Sequence, residues 1–236
     1  MAGEKNQDSQ NTPGSQRPSY ECFYCGKDIR EIVFYRPGQK TCDDVDCLKK
    51  TKLDYCRKNI SKLLMEAGIP QKFQCLSTDR DLSKYTVLNT GLYCYGDVGT
   101  GKTVFACSLA KELILQGRQV RFFSTLNLIL SLYDRWRRPE DQIKSFIDDN
   151  LIIPEILILD DLGSEKLTDY VRTTFFYIFN EREGKEKLTI VTSNHSLEKI
   201  DEYLGCRISS RIAGCCKIIK FTGQDRRLHK GNEVTR

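Results

Sequence analysis

The sequence predicts an α/β protein in which helices cover both faces of a mostly parallel sheet. Short apolar runs, several of them rich in β-branched residues, alternate with longer segments of helical periodicity. Because parallel strands need helical crossovers, this alternation favours a parallel sheet. A glycine-rich turn lies between the first apolar run and the first helical segment. Two cysteine pairs precede the sheet and predict a small additional module.

The predicted elements follow one another in a regular order. Strands are predicted at residues 91–95, 119–124, 155–161, 187–194 and 216–221. Helical patterns lie between them at 102–116, 125–138, 141–149 and 169–183, with a pair of helices at 197–213. Ahead of the sheet, a basic helix begins at residue 48, breaks at the Gly68-Ile69-Pro70 turn and leads into a connector that ends near residue 85. Its surplus of positive side chains suits either an anionic partner or a solvated helix face.

The composition is that of a non-membrane globular protein. Of the 236 residues, 39% are hydrophobic and 10% aromatic, and no apolar run approaches the roughly 20 residues of a membrane span. Residues 1–19 lack an apolar signal core and are rich in polar residues, so we expect a disordered leader and no export. Eleven cysteines without a signal peptide indicate a reducing compartment. The expected location is the cytoplasm.

The motif G-x-x-x-x-G-K-[ST] occurs at residues 96–103, between a predicted strand and a predicted helix, which is the context it requires. Its glycines would let backbone N–H groups and the next helix N-terminus face phosphate oxygens. Lys102 would pair with the β and γ phosphates, and the Thr103 hydroxyl would ligate Mg²⁺. A glycine turn that only caps a helix is the alternative. The predicted nucleotide-binding residues are Gly96, Asp97, Val98, Gly99, Thr100, Gly101, Lys102, Thr103 and, from the next motif, Asp160.

Two carboxylates end the apolar run ILILDD at residues 156–161. Because parallel sheets bind ligands at the carboxyl ends of their strands, Asp160 is expected to hold Mg²⁺ through water and Asp161 to orient or deprotonate the attacking water. An N-cap for the next helix is the alternative. Asn194 follows the fourth strand, where its amide would either position the lytic water or form a turn. Arginines on one face of a later helix, Arg207 and Arg211, would either stabilise transition-state charge or be solvated.

Four cysteines have the spacing of a zinc site. C-x₂-C and C-x₄-C pairs separated by sixteen residues predict structural zinc on Cys22, Cys25, Cys42 and Cys47. A segment of about thirty residues has too little core to fold alone, so the metal would supply the missing stability. Four thiolates leave no site for a catalytic water. Cys56 is an alternative ligand, and a fortuitous grouping is the alternative to zinc.

Together, the motifs YGDVGTGKT, ILILDDLGSEK, the strand-end TSN, the RISSRI helix and the terminal GQDRR resemble the AAA+ ATPases of the bacterial DnaC and DnaI helicase-loader type, with the IstB transposition helpers as relatives. The resemblance covers about residues 92–228. It implies an AAA+ P-loop fold, with Asp160 and Asp161 as the Walker B pair and Asn194 as the sensor-1 residue.

The same resemblance assigns roles to arginines and to the cysteine module. It implies that Arg211 is an arginine finger reaching a neighbouring subunit, with Arg207 on the same helix, and that Arg227 is the sensor-2 arginine. The implied catalytic set is Asp161, Asn194, Arg211 and Arg227. Family members carry an N-terminal region, often zinc-binding, that grips the replicative helicase, and the layout here is similar.

The predicted organisation is a leader at 1–19, the zinc module at 20–50, a basic helical linker at 51–85, the AAA+ ATPase domain at 86–230 and a tail at 231–236. We expect a helicase loader for DNA replication that uses ATP, Mg²⁺ and Zn²⁺, binds a replicative helicase and single-stranded DNA, and self-associates through its arginine finger. Its hydrolysis of ATP is expected to be weak and stimulated by oligomerisation or DNA. Two alternatives are an IstB-like transposition helper and an adaptor that binds nucleotide as a switch without hydrolysis.

The helical insert at residues 125–150 is where loaders of this type contact single-stranded DNA. It contains a mixture of aromatic and guanidinium groups suited to base stacking and phosphate contact, namely Tyr133, Arg135, Trp136, Arg137 and Arg138. In the alternative interpretation, the two aromatic side chains pack into the domain and the arginines are solvated.

Overall fold

The computed structural model describes residues 22–28, 41–163 and 167–226 of the chain. The chain divides into two compact units, Met1–Asp54 and Tyr55–Arg236. The first unit contains a cluster of four cysteines and most of helix α1 (Val45–Lys58). The second contains the sheet and the other helices of the described ranges. Among the described residues, no helix combines the length and apolarity that crossing a membrane requires.

The second unit is built on five parallel strands. They are β1 (Gly91–Gly96), β2 (Val120–Ser124), β3 (Ile156–Asp160), β4 (Leu188–Ser193) and β5 (Cys216–Phe221). Their order across the sheet is β2-β3-β4-β1-β5, and each neighbouring pair is parallel. The chain passes from β1 to the far edge and returns, so the turn after β1 lies beside the carboxyl end of β4 and at the same edge of the sheet as the carboxyl end of β3. This is the crevice in which open parallel sheets bind ligands.

The helices follow the predicted order. In the sheet region they are α5 (Lys102–Leu115), α6 (Thr125–Arg135), α7 (Glu140–Ile147), α8 (Asp169–Gly184), α9 (Leu197–Leu204) and α10 (Cys206–Cys215). A π-helical turn, Asp148–Ile152, continues α7. Every predicted strand occurs to within one residue at either end, and helices flank the sheet, so the predicted α/β fold class is confirmed.

The segment before the sheet differs in detail from the predicted basic helix. Helix α1 begins at Val45 because the Asp44 carboxylate accepts from the N–H groups of Asp46 and Cys47, which caps the helix inside the cysteine-bearing segment. The helix is interrupted at Asn59, before the predicted glycine turn. Three shorter helices follow, α2 (Ile60–Glu66), α3 (Gln71–Gln74) and α4 (Ser83–Thr86).

Alternating side chains of the central strands form two cores, one on each face of the sheet. In β3, Leu157 and Leu159 join the core that includes residues of α6, α8, α9 and α10, while Ile156 and Ile158 join the core that includes α5 and α2. All of β3 is buried, which explains why its sequence is a continuous apolar run. The strand that carries Asp160 is therefore buried in both cores of the second unit.

Helix α2 and the turn after it pack onto the sheet. Leu64, Ala67 and Ile69 are buried in the same core as α5. The Phe122 N–H in β2 donates to the Ala67 carbonyl at 2.7 Å, and the Arg121 guanidinium donates to the carbonyl of Glu66. Part of the segment predicted as a linker is therefore integrated into the second unit.

One arginine is part of the interior. Arg182 in α8 is 1% exposed, and burial lowers its pKa to about 10. Its guanidinium donates to the Thr189 hydroxyl at 2.9 Å and to the carbonyls of Leu151 at 2.7 Å and Pro154 at 3.0 Å. These bonds tie the π-helical turn to α8 and β4. Its role is structural, and nothing in its sequence context distinguishes it from a solvated helix residue.

Candidate functional site

The end of β1 and the loop after it lie very close to the end of β5 and the chain after it. Gly96 has a φ of 148°, and a Cβ there would lie 1.9 Å from the Phe221 carbonyl oxygen. At Gly99, φ is 78° and a Cβ would lie 1.8 Å from an Asp225 carboxylate oxygen. The Arg226 N–H donates to the Gly99 carbonyl at 3.1 Å. Glycine is needed at both positions because of the left-handed backbone and the close approach.

Lys102 connects this loop to the end of β4. It begins α5, is 7% exposed, and its Nζ donates to the Gly96 and Asp97 carbonyls at 2.8 Å each. Nζ also donates to Asn194 Oδ1 at 2.9 Å, and Asn194 Nδ2 donates to Asp161 Oδ1 at 2.8 Å. A continuous chain of hydrogen bonds thus runs from the lysine through the amide to the carboxylate. The sequence predicted a site role for every residue in this chain.

The carboxylate that ends β3 is buried beside the first turn of α5. Asp160 is 9% exposed, and burial raises the pKa of its carboxyl group. Hydrogen bonds from the hydroxyls of Thr192 and Thr103 partly oppose that shift, and the Thr192 bond is 2.6 Å long. A carboxylate beside a threonine hydroxyl at the phosphate loop is a fitting oxygen donor pair for Mg²⁺.

Thr192 is a site residue that sequence reasoning missed. Its Oγ1 donates to Asp160 and accepts from the Asp161 N–H at 2.9 Å, so it joins the two carboxylate residues. Asp161 has a φ of 62°, which directs its side chain away from the strand and toward Asn194. Thr192 opens the strand-end motif TSN, but only Asn194 of that motif was assigned a role, because a threonine in a strand is ordinary.

The remaining loop residues shape the turn. The Thr100 hydroxyl donates to the Asp97 carbonyl at 2.8 Å, and Thr100 is buried. Val98 is exposed. The structure therefore brings the whole predicted loop together with Asp160, Asp161 and Asn194 at one end of the sheet.

Two of the predicted arginines, Arg207 and Arg211, lie in the described part of the chain, and both are on α10. Arg211 in α10 forms an ion pair with Glu183 in α8, with Nη1 and Oε2 2.7 Å apart. Arg207 is exposed on the same helix, and Arg227 lies outside the described residues. Arg226 lies near the loop, where its hydrogen bond lowers the pKa of the Asp79 carboxyl group.

In the first unit, the four predicted cysteines converge. The sulfur atoms of Cys22, Cys25, Cys42 and Cys47 all lie within 4.8 Å of one another, with Cys25 and Cys42 3.6 Å apart. Tetrahedral Zn–S bonds of about 2.3 Å place sulfur atoms about 3.8 Å apart, so the group fits such a metal. Burial opposes ionisation of Cys22, but backbone N–H groups of Cys42, Tyr24 and Cys25 donate to its sulfur and lower its pKa to about 6. Cys56 is not a member of this group.

A separate cleft of about 560 Å³ lies between α6 and α8. Its lining residues are Tyr133, Trp136, Arg137, Thr168, Asp169 and Tyr170. Trp136 is 53% exposed, and its ring lies nearly perpendicular to that of Tyr170, with ring centroids 3.7 Å apart. The Tyr133 hydroxyl lies 3.1 Å from that of Thr168. The aromatic side chains thus pack against α8 and still present accessible surface.

The neighbouring arginines of the insert are held in different ways. Arg135 stacks over the Phe146 ring at 4.0 Å, and Arg138 pairs with Asp134 at 3.2 Å. Arg137 is exposed at the edge of the cleft. Of the three, Arg137 is the best placed to contact a ligand in the cleft.

Among curated proteins, the chain is similar to the replicative helicase loader DnaC of Escherichia coli strain K12, with 24% identity over 117 residues that cover 50% of this chain and 47% of DnaC. It is also similar to the replicative helicase loader DnaI of Bacillus subtilis strain 168, with 24% identity over 158 residues that cover 58% of this chain and 47% of DnaI. The chain therefore spans about half the length of these relatives.

A crystal structure of DnaI superposes with a TM-score of 0.55 at 22% identity and covers 67% of this chain and 94% of that chain. This similarity supports the AAA+ fold that the sequence motifs implied. In a comparison with protein families, residues 68–233 match the family described as IstB-like ATP binding protein. The predicted resemblance to the DnaC, DnaI and IstB group is confirmed, and because the match spans well over half of the sequence, the chain belongs to the family of IstB-like ATP binding proteins.

Proposed function

We propose that the chain is an ATP-dependent helicase loader that binds a replicative helicase and single-stranded DNA. The observation that carries the proposal is the hydrogen-bonded chain from Lys102 through Asn194 to Asp161, beside the buried carboxylate of Asp160. It joins a phosphate-binding lysine to a carboxylate placed to act on water. A protein that only binds nucleotide does not need a carboxylate in that position.

Each residue of the site has a role in this proposal. Lys102 would neutralise phosphate charge, and Thr103 with Asp160 would hold Mg²⁺, which would offset further negative charge on the phosphates. Asp161 accepts a proton from the attacking water or orients it. Asn194 holds Asp161 in place and hydrogen-bonds to the water. Exchanging Lys102 for Ala is expected to abolish nucleotide binding, measured with a fluorescent ATP analogue.

We infer that hydrolysis takes place between subunits and uses Arg211 of a neighbour. In the single chain Arg211 contacts Glu183, and both side chains remain partly exposed, so the arginine is available to exchange partners on assembly. Hydrolysis by the isolated chain is therefore weak and rises with protein concentration or DNA. Arg211→Ala should bind ATP normally and lose the concentration-dependent hydrolysis.

A mixing experiment tests whether Arg211 acts in trans. The Lys102→Ala variant offers an intact arginine but no nucleotide site, and Arg211→Ala offers the reverse. Mixing the two should restore hydrolysis that neither has alone, and Arg207→Ala serves as the control on the same helix. Normal hydrolysis by Arg211→Ala at high protein concentration contradicts the assignment.

The helicase is proposed to bind through the first unit. Support comes from the descriptions of the two curated relatives as replicative helicase loaders and from the zinc-compatible cysteine group ahead of the ATPase unit. Structural Zn²⁺ on these four thiolates would fix a module too small to fold on its core alone. The test is co-purification with the cognate hexameric helicase in the presence of ATP, ADP or no nucleotide. If the chain does not bind the helicase in any of these three nucleotide states, the loader proposal is refuted.

Single-stranded DNA is proposed to enter the cleft between α6 and α8. Trp136 and Tyr133 offer accessible ring surface for base stacking, and Arg137 offers a guanidinium for phosphate. Replacing Trp136 by Ala is expected to weaken binding of a labelled oligonucleotide by about 1–3 kcal/mol, as measured by fluorescence anisotropy. Lys199→Ala removes a charge from the exposed surface of α9 and is the control.

A transposition helper is the second candidate, because the matching family is described as IstB-like. Such a helper would assemble on duplex DNA and bind a transposase in place of a helicase. Preference for duplex over single-stranded DNA, together with transposase binding, would favour this candidate.

A further inference from the structure

Two adjacent cysteines form the junction between α10 and β5. Cys215 is the last residue of the helix and Cys216 the first residue of the strand. Their sulfur atoms lie 3.7 Å apart, and neither belongs to the four-cysteine group of the first unit. Consecutive side chains normally point in different directions in a helix or strand, so this contact is a product of the junction.

The surroundings hold the two thiols differently. Cys216 is buried, its Sγ lies 3.6 Å from the Thr189 carbonyl, and a Cβ on Gly91 would lie 2.8 Å from that sulfur. Cys216 therefore packs tightly against β1 and β4. Cys215 is only partly buried, so it is the more accessible residue of the pair.

We propose that Cys215 and Cys216 are a thiol oxidation site at which a hydroperoxide forms a reversible disulfide. The Cys215 thiolate attacks one peroxide oxygen, so that an S–O bond forms, the O–O bond breaks, and the leaving hydroxide takes a proton to become water. Cys216 then attacks the Cys215 sulfur, the S–S bond forms, and the S–O bond breaks. The second hydroxide takes the Cys216 proton, so two thiols and one hydrogen peroxide give one disulfide and two waters.

The electrostatics agree with this division of roles. The hydrogen bond with Cys216 lowers the pKa of Cys215, and the nearby Arg182 guanidinium acts in the same direction, against burial and the Glu183 carboxylate. The same thiol contact, together with burial, raises the pKa of Cys216. Cys215 is therefore the better nucleophile, and Cys216 supplies the second thiol.

A disulfide here would distort the junction. Consecutive Cα atoms are about 3.8 Å apart, whereas disulfides usually join Cα atoms about 4.4–6.8 Å apart. The bond would be strained and hence easily reduced. Because Cys216 is held between its neighbours, the backbone distortion falls on the last turn of α10. Arg211 precedes Cys215 by one turn there. The oxidation site depends only on the thiols, whereas an effect on Arg211 rests on the proposed function.

The covalent step is tested on the full-length, zinc-loaded protein. After treatment with hydrogen peroxide and alkylation of free thiols, trypsin releases peptide 212–217, which contains both cysteines and no other. We expect this peptide to lose the mass of two hydrogen atoms and to regain it with dithiothreitol. Cys216→Ser should leave a sulfenic acid on Cys215 that dimedone traps, and Cys215→Ser should slow oxidation of the peptide.

Cys206 is the internal control for the oxidant, because it is exposed at the start of the same helix. If peptide 212–217 remains fully alkylated under conditions that oxidise Cys206, the oxidation site is refuted. An effect of the disulfide on Arg211 is supported if peroxide slows ATP hydrolysis by the unsubstituted protein but not hydrolysis by Cys215→Ser. If the disulfide forms and the rate of hydrolysis does not change, the effect on Arg211 is refuted and the oxidation site is not. Absence of hydrolysis in the reduced protein counts against the proposed function and leaves the peptide measurement intact.

Discussion

Replacing Thr192 by Val should weaken the proposed magnesium site at Asp160 without removing the phosphate loop. The Thr192 hydroxyl donates to Asp160 at 2.6 Å, and valine keeps the shape of the side chain but has no donor. A hydrogen bond to a charged group contributes about 1.5–3 kcal/mol, and loss of that amount from the free energy of Mg²⁺ binding corresponds to about a 10- to 150-fold higher Mg²⁺ concentration for half-maximal hydrolysis. The lost bond also raises the pKa of Asp160 further, so the proton competes with Mg²⁺ more strongly at low pH.

The assay is ATP hydrolysis as a function of Mg²⁺ concentration, repeated at about pH 6 and about pH 8. Hydrolysis by Thr192→Val should fall more at the lower pH, because only the ionised Asp160 carboxylate binds the metal. Thr192→Ser keeps the hydroxyl and should stay close to the unsubstituted protein. Identical Mg²⁺ and pH dependence for the valine variant would refute the role that we assign to Thr192.

Three further predictions concern stability and metal content. Arg182→Met should lower the free energy of unfolding of the second unit by at least about 3 kcal/mol in urea, because it leaves buried carbonyls without their hydrogen-bond donor. Arg182→Lys should recover part of that stability. Equal stability of the methionine variant would show that the carbonyls find other donors. Gly96→Ala should lower the thermal midpoint, since its Cβ would lie 1.9 Å from the Phe221 carbonyl oxygen, whereas Gly184→Ala meets no atom within 4 Å and should not. A Gly96→Ala midpoint that matches Gly184→Ala contradicts the close approach. Purified protein should contain zinc, and Cys25→Ser should release it and unfold the first unit while the second keeps its thermal transition. Zinc retained by Cys25→Ser would exclude Cys25 as a ligand.

The sheet and the phosphate loop were predictable because each has a strong local signal. The buried strand β3 is a continuous apolar run, and the residues around Lys102 form a motif whose spacing is set by the phosphates. Thr192 and Arg182 were not predictable, because their roles depend on partners about thirty residues away in the sequence. The early start of α1 was missed because Asp44, its cap, lies within the cysteine-bearing segment.

The two outer edges of the sheet are protected in different ways. At β2, the Phe122 N–H that points outward is already bonded to Ala67, so the turn after α2 occupies part of the edge. At β5, the exposed side chains of Lys217 and Lys220 place positive charge along the other edge, which discourages pairing with another chain. A fragment beginning at residue 86 would therefore expose the first edge, and its tendency to aggregate would come from the missing turn rather than from a defect in the packing of the sheet.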